Sequence, residues 1–446
     1  MKRRALALAI PFALGLATAS LTAAGEDLMD IYREAQQNDP AIAAARANWQ
    51  ATQERVPQAR SALLPNVALS GSADLTRFDQ TIHTDPNIDV GRDFSSGSLG
   101  VFAAQPLFRY QNTVALDQAK QQVSQADFVL ASAQQDLIIR VAVAYFAVLL
   151  AQFNVELVES QKAAVSEQLA QAKRNFEVGV ATITDTNEAQ AKYDSIVANE
   201  IATRNDLDNK LVALRAIIGR APKSLKRLGP GFDPQSPDPN SLDVWIERAL
   251  RDNLAMKISQ SNLDIATLEV ERQRAGHYPT LDLVGSYTGQ AASAAVTQTA
   301  RSDSRTGQIG LQLNLPIYQG GLVNSKVAEA VAQQESARQA LEQARRFALS
   351  TAQIGFTGVT SAVASVKAFE QAVASAETAY QSNKLGQEVG VRTNLDVLNT
   401  QQNVFSARRD LANAYFDYLL GVLRLKAAVG TLQEQDLEAI NRRLAG

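Results

Sequence analysis

Phe176-Glu177-Val178-Gly179-Val180-Ala181-Thr182-Ile183-Thr184-Asp185 and Gln387-Glu388-Val389-Gly390-Val391-Arg392-Thr393-Asn394-Leu395-Asp396 are one phrase written twice, 211 residues apart. In each, a long helical pattern stops at a Gly, the residue that takes a positive φ without a Cβ clash. A Thr stands three residues further on and an Asp three beyond it, which is the start signal of a second helix. Each stretch therefore reads as a helix–turn–helix tip, with Gly179 and Gly390 as turn residues. Two such tips imply a tandem duplication. The expected division is a leader over 1–24, a first repeat over 25–240 with its tip at 176–186, and a second repeat over 241–446 with its tip at 387–397.

Outward from the tips the helical patterns are very long. Tyr110 to Phe176 runs 67 residues without Pro, about 100 Å at roughly 1.5 Å per residue. Gly321 to Leu385 is similar, and Val359, Val363, Val366, Val373 and Tyr380 fall at coiled-coil spacings among many alanines. Leu137 to Ala151 is apolar nearly all round, with Arg140 its one charge. It is short for a bilayer span and reads as a helix buried on several sides. The first tip returns as a helix to about Ile218, and Pro/Gly/Asp-rich 219–240 links the repeats. The second returns from Thr393 to about Val429, followed by an amphipathic piece from Leu432 to Leu444.

Further out, each repeat carries a hairpin. A helical pattern from Asp27 to about Ala62 stops at Leu63-Leu64-Pro65, because Pro disfavours helix in the residue before it. Val67, Leu69, Gly71, Ala73 and Leu75 then alternate with polar or small residues, the period of a strand. Polar Asp79 to Ser96 reads as a loop, and a second strand ends at Pro106-Leu107-Phe108. In the other repeat, helical Leu242 to Gly276 gives way at His277-Tyr278-Pro279 to a strand through Leu281, Leu283, Gly285 and Tyr287. A polar loop from about Ala292 to Thr306 follows, then a strand through Ile309, Leu311, Leu313, Leu315 and Ile317. The four strands are expected at about 66–78, 97–108, 280–291 and 307–318. Each is near the 9–11 residues that a tilted membrane strand needs. Phe78, Phe94, Phe108, Tyr278 and Tyr318 near the strand ends fit an interfacial girdle. Periodicity alone fits equally a water-soluble hairpin with one buried face.

Composition favours the membrane. Met1-Lys2-Arg3-Arg4, the apolar run Ala5 to Ala19 and Thr22-Ala23-Ala24 form a secretory signal peptide cleaved near Ala24. No later run has the roughly 18 uninterrupted apolar residues of a spanning helix, so any crossing falls to strands. The net charge is −3 with the leader, a poor balance for binding nucleic acid. The chain has no Cys, and its His are His83 and His277 alone. That removes disulfides, thiolate metal sites and Cys nucleophiles, and leaves no expected cofactor or metal. There is no Gly-Lys-Ser/Thr phosphate loop and no Gly-x-Ser-x-Gly elbow, so no enzyme is expected. Four strands cannot close a barrel, and eight would be filled by side chains. A trimer supplies twelve strands and a lumen, continued by the long helices as a tube.

These residues resemble the TolC family of outer-membrane channels, the outer membrane efflux proteins. The tips match that family's periplasmic turns. Leu315-Pro316-Ile317-Tyr318-Gln319-Gly320-Gly321 is similar to its strand-to-helix transition, and Ala427-Ala428-Val429-Gly430-Thr431-Leu432 to its C-terminal close. The resemblance covers essentially the whole mature chain. It implies a mixed α/β membrane protein: a trimeric twelve-stranded β-barrel in outer-membrane lipid, continued by an α-helical coiled-coil barrel in the periplasm. It further implies an exit duct for multidrug efflux pumps and type I secretion, opened by a periplasmic adaptor and an inner-membrane pump.

By the same resemblance the tips close the tunnel. Arg392 would hold the inner coil to Thr184 and Asp185 across a subunit boundary. The family's gate Tyr falls at Gln387, which packs less but can still hydrogen-bond Asp185. Its pair of entrance carboxylates falls at Asp396 and Asn399, so a trimer carries one acidic ring. Read without the resemblance, Asp185 and Asp396 are third-position acids of capping boxes begun by Thr182 and Thr393, and Arg392 is a solvated surface residue. The competing reading of the whole chain is a periplasmic coiled-coil spacer without a pore, which has no need of alternating hairpins.

Overall fold

In the computed structural model, residues 25–229, 233–295 and 300–445 are described; the expected leader lies outside them. Three helices come first, α1 (Leu28–Asn38), α2 (Pro40–Gln53) and α3 (Arg55–Ser61), followed by strands β1 (Asn66–Ile82) and β2 (Ile88–Phe108). Two long helices, α4 (Tyr110–Glu177) and α5 (Ile183–Ile218), lead through a short strand β3 (Arg227–Leu228) to α6 (Leu242–Asp252) and α7 (Leu254–Arg274). Strands β4 (Thr280–Ala292) and β5 (Ser302–Asn314), helices α8 (Leu322–Glu388) and α9 (Asn394–Ala428), then α10 (Glu434–Asn441) and strand β6 (Leu444–Ala445) complete the chain. Strand pair, long helix, tip and returning helix thus occur twice.

The expected single helix over 27–62 is three. Asp39 ends α1 and caps α2, its Oδ1 accepting from the N–H of Ala41 and Ile42 at 2.7 and 3.0 Å, with Pro40 in the first helical position. The expected helix over 242–276 likewise breaks at Asn253. Its Oδ1 accepts from Met256 N–H at 2.9 Å and its Nδ2 donates to Ala428 O at 2.7 Å, so the break is the docking point for the end of α9. Gly430 makes that approach feasible. Its φ is +78°, and a Cβ there would stand 2.2 Å from Asp252 O.

The hairpins are longer than the pattern suggested. Polar 79–96 is strand except for residues 83–87, with Phe78 opposite Arg92 and Gln80 opposite Val90. Strand β5 begins at Ser302, inside the expected loop, and ends at Asn314, before Leu315-Pro316. The four long strands form one antiparallel sheet in the order β1-β2-β4-β5. Register puts Val67, Leu69, Leu75, Leu99, Val101, Leu283, Tyr287, Ile309, Leu311 and Leu313 on one face, all exposed. The opposite face carries Ser70, Ser72, Ser98, Ser286, Thr288, Gln308 and Gln312. Phe78 and Phe94 lie on this polar face, an odd number of positions from Leu75 and Leu99, and so point away from the apolar face. The outer edges of β1 and β5 have no partner strand among the described residues.

The main core is a belt halfway along α4. Leu137, Val141, Tyr145 and Phe146 pack there against Leu28, Ile31 and Tyr32 of α1, Leu214 and Ile218 of α5, and Leu419 and Leu423 of α9. Among the described residues α4 is the one helix with a stretch long and apolar enough to cross a membrane, and half of that stretch is buried, in this belt. Arg140, the one charge in it, donates to Asp39 Oδ2 at 2.6 Å and to Asp136 Oδ2 at 2.7 Å. Below the belt α4 pairs with α5 and α8 with α9; small clusters of α4 and α5 residues, one of them including Leu398 of α9, end at Leu169, Ala172 and Ala189.

Candidate functional site at the helix tips

The two tips share one backbone. At the end of α4, Gly179 has φ +78°, and the N–H groups of Val180 and Ala181 both donate to Asn175 O at 2.9 and 3.2 Å. At the end of α8, Gly390 has φ +77°, and Val391 and Arg392 donate to Gly386 O at 2.9 and 3.1 Å. Both turns tie off helix carbonyls that would otherwise be orphaned, through a left-handed glycine.

Each returning helix opens with a reciprocal cap. Asp185 N–H donates to Thr182 Oγ1 at 3.2 Å, while Thr182 N–H and hydroxyl donate to Asp185 Oδ2 at 2.9 and 2.8 Å. Asp396 N–H donates to Thr393 Oγ1 at 3.1 Å, and Thr393 returns both bonds to Asp396 Oδ2 at 3.0 and 2.9 Å. The plain reading of both acids as caps therefore holds, and it uses Oδ2 alone. The Thr393 N–H, then its hydroxyl, then the Arg392 charge hold the Asp396 carboxyl below the usual carboxylate range.

Gln387 lies within its own turn, its Nε2 donating to Asn394 Oδ1 at 3.2 Å. Asn394 was not singled out in the sequence, although a polar first helical residue facing a polar residue seven earlier was the available signal. Arg392 and Thr184 are exposed, and Asp185 is half-buried. Within one protomer the hydrogen bonds of Asp185 run to Thr182, not to Arg392. Asn399 is exposed one turn beyond Asp396. Around these polar groups Val178, Val180, Val389 and Val391 are 67–75% exposed, so each tip presents apolar side chains to solvent.

At the opposite end of the helices, the sheet is tied to α4 by an ion pair absent from the sequence expectations. Arg109, between β2 and α4, donates from Nε and a terminal nitrogen to both oxygens of Asp282 at 2.8 and 2.6 Å. Asp282 is 7% exposed. Its place among the polar positions of β4, next to the helix junction, was the signal for it.

Comparison with known proteins gives the family. The outer membrane efflux protein family matches twice, over residues 31–220 and 245–431. Outer membrane protein TolC of Vibrio cholerae serotype O1 is 36% identical over 440 residues, 98% of each chain. Proteases secretion protein PrtF of Dickeya chrysanthemi is 31% identical over 446 residues, covering 98% of this chain and 94% of that one. Among solved structures, the Campylobacter jejuni CmeC outer membrane channel superposes with a TM-score of 0.78 at 18% identity, over 94% of this chain and 90% of that one, so the fold is shared. The chain belongs to the outer membrane efflux protein family, and its place is the outer membrane.

Proposed function

We propose that three copies of the chain close a twelve-stranded barrel and continue it as a helical tunnel, forming a passive exit duct for multidrug efflux and type I protein secretion. The observation that carries this reading is the open sheet. Its apolar face is exposed across all four strands, and among the described residues β1 and β5 end in unpaired edges. Lipid is the solvent that such a face needs, and only closure removes such edges in a membrane. Three copies join each β5 to the next β1. The repeats 25–240 and 241–446 then alternate around one axis.

In this reading the tips close the tunnel. Arg392 of one copy pairs with Asp185 and Thr184 of the next, Gln387 supports it, and the three Asp396 carboxylates ring the entrance. The exposed valines of both turns are the surface that a periplasmic adaptor covers while an inner-membrane pump drives transport, without catalysis by this chain. The family is named for outer-membrane efflux and PrtF for the secretion of proteases, which supports both branches of the export function.

The test is native mass in detergent with planar-bilayer recording. A trimer with discrete conductance is expected. A monomer that stays in solution without detergent would favour the coiled-coil spacer, and a non-conducting trimer would remove the duct.

A further inference from the structure

Gly386 lies in the last turn of α8 and its φ is not among the positive ones. Glycine weakens a helix relative to alanine, so its backbone conformation gives no reason for it. Its surroundings do. A Cβ at 386 would stand 2.7 Å from Arg392 Cγ, 3.4 Å from Arg392 Cβ and 3.5 Å from Val391 Cγ2. The first of these is closer than real Cβ contacts occur. The Gly386 carbonyl also receives the Arg392 N–H at 3.1 Å. Backbone and side-chain root of Arg392 thus both rest on this one residue, which the side chain helps to bury.

The first tip is an internal control. The residue 211 positions before Gly386 is Asn175, and the residue 211 before Arg392 is Ala181. The backbone bonds are the same, Val180 and Ala181 donating to Asn175 O at 2.9 and 3.2 Å. Where the turn carries a single methyl, the helix beneath carries a full side chain. Where the turn carries Arg, the helix carries none. Duplicated backbones with exchanged side chains point to a fit between the two positions, not to a need of the turn itself.

We propose that Gly386 is the positioning residue for Arg392. It is a seat that holds the root of the arginine against α8 and so limits the rotamer freedom lost when the guanidinium pairs across a subunit boundary. This rests on the gate reading for its consequence, though not for its geometry, and the two are tested separately.

The chain has no Cys, so Arg392→Cys carries a single thiol, with its sulfur at the Cγ position. A water-soluble methanethiosulfonate should label it several-fold faster when Gly386→Ala is added, because the added methyl displaces the sulfur outward. Equal rates overturn the seat whatever the gate does. In bilayers, Gly386→Ala with Arg392 intact should raise resting conductance at least half as far as Arg392→Ser, and lose the salt sensitivity of closure with it. A leaky Arg392→Ser beside a tight Gly386→Ala overturns the inference and leaves the gate. A tight Arg392→Ser overturns the gate, and labelling still decides the seat. If Gly386→Ala alone fails to assemble, adding Arg392→Ala should restore the trimer by recreating the small residue of the first tip. Failure to restore it refutes the steric account.

Discussion

Arg392→Ser removes one charged side chain from each copy of the tip and three from a trimer. The cap that starts α9 belongs to Thr393 and Asp396, so the helix should survive the change and the effect should report the link. Arg392 is exposed and Asp185 half-buried, which sets the scale near that of surface pairs, roughly 0.5–1 kcal/mol each. In the proposed trimer three acting together would hold the closed state by roughly 1.5–3 kcal/mol, or roughly 10- to 150-fold in the closed-to-open ratio, since about 1.4 kcal/mol is tenfold. Resting open probability of single channels should rise by that factor while the channel is mostly closed. Adding Gln387→Ala should raise it further but by less. A neutral hydrogen bond is about half as strong as a charge-assisted one, and Gln387 already bonds Asn394 in its own chain. Raising salt from 0.1 to 1 M shortens the screening length from about 10 to about 3 Å. That should part-open the wild type and leave Arg392→Ser nearly unchanged. A folded Arg392→Ser trimer with wild-type resting conductance at both salts would refute the reasoning.

Asp396→Ala should weaken block by a multivalent cation added on the tip side. Because the Asp396 carboxyl is held below its usual range, wild-type block should persist as pH falls through that range; equal block in both proteins would reject the ring. Arg109→Met strands the carboxylate of Asp282, which is 7% exposed, and should lower trimer stability by about 2–4 kcal/mol. Adding Asp282→Leu should recover most of the loss in a thermal dissociation assay. Glu269 would be raised by burial, but bonds from Arg272, Gln273 and Gln118 outweigh it and lower the carboxyl from 4.5 to about 2. Its contribution is therefore complete above pH 4.5 and lost as pH falls toward 2. Glu269→Gln should cost about 1–2 kcal/mol at pH 7, after allowance for screening, and much less at pH 2, read by circular dichroism on heating.

The tips were legible in the sequence because their chemistry is local. Gly, Thr and Asp at fixed offsets specify a left-handed turn and a reciprocal cap whatever packs around them. The strand lengths were not. An alternating pattern needs one dry face, and Asp79 to Asp93 lies where hydrogen-bonded strands continue with polar residues on both faces. The same polar run hid the phase of Phe78 and Phe94, which only register reveals. The breaks at Asp39 and Asn253 were signalled by Asp-Pro and by Asn before an apolar run, yet a continuous helical period outweighed them.

The gate is harder to read, because half of each proposed contact belongs to another copy. One protomer displays Asp185 and Asp396 as caps, and a cap is a sufficient reason for either acid. The geometry leaves room for both roles, since the caps engage Oδ2 and no bond of theirs uses Oδ1. In the proposed gate, capping would serve by fixing where Oδ1 stands before any partner arrives. Closure can be weak for a related reason. The belt core is anchored by residues of α1, α4, α5 and α9, whereas clusters toward the first tip end at Leu169, Ala172 and Ala189. The valines beyond them are exposed in both tips. Segments with so little buried contact open at low free energy. In the proposed assembly, a partner that covers those valines would gain apolar burial while displacing a few surface ion pairs, and the belt would not need to yield.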